Sequence, residues 1–112
     1  MGKIVEATKK VPRAYEAAYL EKLIGVGAGE AEIAANRVAK ELKNALSDFL
    51  GPSVMWSIKG YFSHPPVRNE GVLVRAASRL EQADSLTFEH ALADFLLYLK
   101  QAMGVESIVP IW

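Results

Sequence analysis

At 112 residues, 51% of them hydrophobic and 23% charged, the chain fits one globular domain with a single core and excludes a disordered polymer. It has no cysteine, which excludes disulfides, thiolate nucleophiles and cysteine-ligated zinc. Its formal net charge of zero excludes a uniformly basic protein that binds nucleic acid by bulk charge.

Residues 1–12 read as an N-terminal arm. Lys3, Lys9 and Lys10 face a single acid, Glu6, and Pro12 disfavours the helical conformation at Val11. Met1-Gly2-Lys3-Ile4-Val5-Glu6 has no apolar run of the secretory kind, so the expected location is intracellular or a virion, not secreted. A first helix is expected from Arg13 to Ile24, with Tyr15, Ala18, Tyr19 and Leu23 on one face and Leu20 and Ile24 widening it. Gly25-Val26-Gly27-Ala28-Gly29 ends it as an interhelical turn. A second helix follows from Glu30 to about Leu50. Its stripe of Ala31, Ala35, Val38, Leu42, Ala45, Leu46 and Phe49 starts on alanines, so a partner helix can approach closely, and Arg37–Glu41 makes an i,i+4 pair on the other side.

Beyond Gly51-Pro52, the residues Val54, Met55, Ile58, Tyr61 and Phe62 fit a short helix over 53–62. His64-Pro65-Pro66 is an extended connection. Asn69 is the expected N-cap of a helix running to Ala83, with Leu73, Ala76, Ala77 and Leu80 as its core face; Gly71-Val72-Leu73-Val74 is the one stretch where a strand competes. Thr87 is the expected N-cap of the last helix, which is apolar nearly all round through Phe88, Leu92, Phe95, Leu96, Leu99 and Met103 and is therefore expected at the centre, closed by Gly104. Its apolar run Phe95–Leu99 is far shorter than the ~20 residues of a membrane span. The tail, residues 105–112, is extended by Pro110 and ends on Trp112; either it packs on its own bundle or it docks on a neighbouring copy.

The fold class expected is therefore all-α: a compact bundle of four to five helices over 13–104, with an arm before it and an apolar tail after it. Catalytic machinery is not expected. Ser63-His64 sits on a loop without the strand-turn-helix setting of a nucleophile. His90 and Asp94 at i,i+4 make only half a metal site, better explained as a polar helix face, so neither metal nor cofactor is expected. Gly25-x-Gly27-x-Gly29 lacks the preceding strand of a phosphate loop, and Glu30 would repel phosphate.

Charge is unevenly spread: residues 59–79 carry +3 and residues 80–112 carry −4. Arg68, Arg75 and Arg79 fall near one helical face, preceded by Lys59, and Lys9, Lys10 and Arg13 could join them in a surface that contacts nucleic-acid phosphates, DNA or RNA, without reading sequence. The competing expectation pairs these arginines with acids of the last helix, such as Glu89 or Asp94. Met55, Trp56, Tyr61, Phe62, Ile108, Ile111 and Trp112 are the expected interface residues of a homo-oligomer.

In this layout of basic arm, helical middle and ordered apolar tail, the chain resembles the small helical nucleocapsid proteins of DNA viruses that infect hyperthermophilic archaea. The scarcity of thermolabile Asn and Gln, present only as Asn36, Asn44, Asn69, Gln82 and Gln101, leans toward a thermophile as well. The resemblance implies a non-enzymatic, self-associating subunit of a particle or filament. The alternative expectation is a small helical subunit of an intracellular ribonucleoprotein or regulatory complex.

Overall fold

The computed structural model describes residues 2–25, 29–50, 55–60, 62, 65–67 and 69–111, with 55–60 and 105–111 described as backbone. The chain is mainly helical: α1 (Lys3–Ile24), α2 (Glu30–Leu50), α3 (Glu70–Gln82) and α4 (Phe88–Met103), with two short strands, β1 (Met55–Gly60) and β2 (Val105–Ile111). No helix among the described residues is long and apolar enough to cross a membrane.

Residues 3–12 are not an arm but the first half of α1. Ile4, Val5, Ala7, Thr8, Val11 and Pro12 are all buried there, on the face that continues into Tyr15 and Ala18. Pro12 costs a helix interior ~3 kcal/mol, because its ring crowds the preceding turn and the carbonyl of Thr8 loses its helical donor. Burying Ile4, Val5, Val11 and Tyr15 contributes roughly 1.5–3 kcal/mol each, so packing outweighs the local preference. The start of α1 is held from elsewhere in the chain. The Glu81 carboxylate on α3 accepts a hydrogen bond from the Val5 amide at 2.9 Å, supplying the acceptor and the negative charge that a helix N-terminus favours. Gly2 belongs to the same contact, since a Cβ there would overlap that carboxylate.

Helix α1, not α4, is the central element, packing on α2, α3 and α4. The alanine-rich start of α2 meets it closely, with Ala18 and Ala35 both buried. Gly25 closes α1 in the left-handed region at φ 74°, where a side chain would be strained. Glu21 then reaches over from α1 and accepts from the Ala31 amide at 3.1 Å, capping α2. Helix α3 covers only part of α1, from the Glu81–Val5 contact to the Glu70–Arg13 ion pair. The last turns of α1 lie beyond it, so Leu23 and Ile24, expected on a core face, are each 66% exposed.

The segment expected as a helix over 53–62 is strand β1 across Met55–Gly60. It pairs antiparallel with β2, with Met55 opposite Ile111, Trp56 opposite Pro110 and Ile58 opposite Ile108, and a register shift between Ile58 and Gly60. Apolar residues at 54, 55, 58, 61 and 62 fit a helix by spacing alone. The competing partner is a tail about fifty residues later in the chain, which no local window contains. The tail is thus extended, as expected, and its backbone pairs within the same chain.

Thr8 is the exception in the core. It is fully buried, and its hydroxyl has no hydrogen-bond partner among the described residues. A desolvated, unpaired hydroxyl costs about 1–3 kcal/mol, which a methyl of the same shape avoids. Thr8→Val is therefore expected to raise stability by about 1 kcal/mol, read as a higher urea midpoint with an unchanged slope. A lower midpoint would mean that the hydroxyl has a partner in solution.

Candidate nucleic-acid interface

Helix α3 turns Leu73, Ala76, Ala77 and Leu80 into the core, which leaves Arg75 and Arg79 exposed one turn apart on the opposite side. Among the described residues neither arginine has an ion-pair or hydrogen-bond partner. The expected pairing with the last helix is not formed there either. Arg79 and Asp94 line the same cleft of about 390 Å³ between α3 and α4, together with Gln82, Thr87 and His90, yet no ion pair joins them. Asp94 lies instead 3.7 Å from the His90 imidazole. Two guanidinium forks on one helix face suit two successive phosphates of a backbone.

The cations of α1 are placed differently. Lys9 lies 3.4 Å from Glu6, Lys10 lies 2.8 Å from Glu41 of α2, and the Arg13 Nε lies 3.8 Å from Glu70 of α3. Lys3 faces Asp48 at 3.5 Å. Such exposed pairs contribute little stability, but each sets a carboxylate beside the cation, so this side of the molecule is locally neutral. Glu41 was expected to pair with Arg37, and tertiary packing gives it to Lys10. Lys59 lies on β1, and Arg68 is outside the described residues.

Of the expected interface residues, Phe62 belongs to the core. It is 7% exposed and meets the Tyr15 ring at a centroid distance of 5.4 Å and a tilt of 33°. Burial pushes the Tyr15 phenol up to about 12, which keeps it neutral across the physiological range. Met55, Trp56, Ile108 and Ile111 fall on the two-stranded ribbon, while Tyr61 and Trp112 lie outside the described residues.

The loop between α3 and α4 is organised by Asp84 rather than by Thr87. The Asp84 carboxylate accepts from the Leu86 and Thr87 amides, each at 3.0 Å, and from the Thr87 hydroxyl. The bond from the Thr87 amide, followed by that from its hydroxyl, holds the carboxyl below the usual range. Sequence reasoning missed Glu81 and Glu21, which cap helix starts, and Asp84, which closes the turn leading into α4. Only Asp84 had a local signal, an acid three residues before Thr87; the other two cap helices to which they do not belong. No group of three or more His, Asp or Glu among the described residues could hold a metal ion. Against protein-family models, curated proteins and solved structures, the chain has no match.

Proposed function

We propose that the protein is a non-enzymatic assembly subunit that self-associates and contacts nucleic-acid phosphates through the outward face of α3. The observation that carries this is the pair Arg75 and Arg79, exposed on one helix face without a partner among the described residues. A guanidinium left open to solvent keeps its donors available for phosphate. The neutralised cations of α1 reduce the surface from the seven basic residues expected to a smaller set centred on α3. Few contacts per copy mean weak binding by one chain, and assembly multiplies them, which is how a subunit of zero net charge coats a polyanion. A nucleocapsid-like particle or filament is the concrete form of this reading.

The test is binding of a labelled DNA or RNA duplex as a function of salt. Replacing both Arg75 and Arg79 by Ala is expected to weaken binding at least tenfold at low salt and to reduce the log–log salt slope by about 2 per copy. Replacing Lys9 and Lys10 is expected to change the slope less. Equal affinity and slope for the double arginine variant would remove the α3 face from the proposal.

A further inference from the structure

Each strand of the ribbon has an outer edge with no further strand beside it among the described residues. Among the described residues the sheet has two strands, β1 and β2, and β1 packs substantially on no element but β2. An isolated two-stranded ribbon is marginal in water, and an unpaired edge is a template for another strand.

Proline at position 110 decides which edge can be used. Proline stands in a paired strand only where its nitrogen faces away from the partner strand. Pro110 is opposite Trp56, so that pair is a non-hydrogen-bonded one, and the alternation of the ladder fixes the rest. Met55 and Ser57 exchange backbone bonds with Ile111 and Val109, while Trp56 and Ile58 present N–H and C=O groups to the open edge of β1. The open edge of β2 lacks a donor at Pro110. The only charge on β1 is Lys59.

We infer that the open edge of β1 pairs with the same edge of a second copy, antiparallel about a two-fold axis at Ser57, giving a four-stranded sheet that crosses the dimer. This register uses both outward residues, with Trp56 of one copy opposite Ile58 of the other. It sets Ser57 opposite Ser57, and Lys59, the only charge on the strand, lies two residues from the axis and away from its own counterpart, so no like charges meet. The inference gives the self-association proposed above a definite surface and requires nothing of the α3 arginines.

The absence of cysteine makes the test clean. Ser57 faces its own copy in a non-hydrogen-bonded pair, where Cα atoms stand about 4.5 Å apart, within reach of a disulfide. Without nucleic acid present, wild type is expected at twice the chain mass by light scattering. Ser57→Cys is expected to form a covalent dimer under mild oxidation, at least about tenfold faster than Met55→Cys, which stands two residues from the axis and so four positions out of step with its own counterpart. Ile58→Pro, which removes an outward donor and spares the ladder with β2, is expected to give a monomer with unchanged helical circular dichroism. Monomeric wild type at high concentration, or equal crosslinking of the two cysteine variants, would overturn the inference. Because nucleic acid is left out, either result stands apart from the fate of the phosphate-binding proposal. If Ile58→Pro loses its helical signal, the cysteine pair decides the question by itself.

Discussion

Ile4→Ala is expected to lower the stability of the isolated protein by about 2–4 kcal/mol. Ile4 is 2% exposed and stands one turn before Thr8 on the buried face of α1. Truncation removes its transfer free energy and leaves a cavity against a helix already weakened by Pro12, whose lost hydrogen bond falls on the next turn. The measurement is chemical denaturation followed by circular dichroism, with Lys9→Ala as the control, because Lys9 sits on the exposed side of the same helix. If residues 1–12 were a solvated arm, both variants would unfold with the wild-type midpoint. That outcome would remove the first three turns of α1 from the fold.

Phe62→Ala is expected to cost more, about 3–5 kcal/mol, a large part of the 5–15 kcal/mol that a domain of this size has in total. Phe62 packs on Tyr15 of the central helix, and the pair adds directional ring contact to the area it buries. The expected drop in melting temperature is roughly 10–20 °C. Phe62→Leu, which keeps most of the volume, is expected to lose only about 1 kcal/mol. The contrast with an interface role is direct. An interface phenylalanine would leave the melting temperature of a dilute monomer unchanged and alter only its association.

The two variants fall where local sequence pattern and the folded structure part company. Residues 3–12 carry an apolar stripe of Ile4, Val5, Ala7, Val11 that is helical in period, but Pro12 and the lysines speak for an arm. The stripe prevails because α2 and α3 lie along it and Glu81 caps it, and all these contacts come from residues tens of positions away. The segment around Trp56 offers apolar residues that suit either period, and the choice fell to the strand β2. The candidate site divides the same way. That Arg75 and Arg79 share a helix face follows from their spacing of four. That they remain unpaired while Lys10 meets Glu41 and Arg13 meets Glu70 depends on which helices lie side by side.

From the sequence alone came the helical class, the positions of α2, α3 and α4, the closing glycines at 25 and 104, and an extended tail. Each rests on a period or on a backbone preference contained within one or two turns, where neighbouring residues dictate the outcome. Tertiary structure alone decided that α1 begins at Lys3 and occupies the centre, that residues 55–60 form a strand, that Phe62 is core, and which cations are neutralised. Those outcomes depend on contacts between residues tens of positions apart. Burial of a face or pairing of a backbone edge there contributes more than the few tenths to one kcal/mol by which local propensity favours one conformation over another.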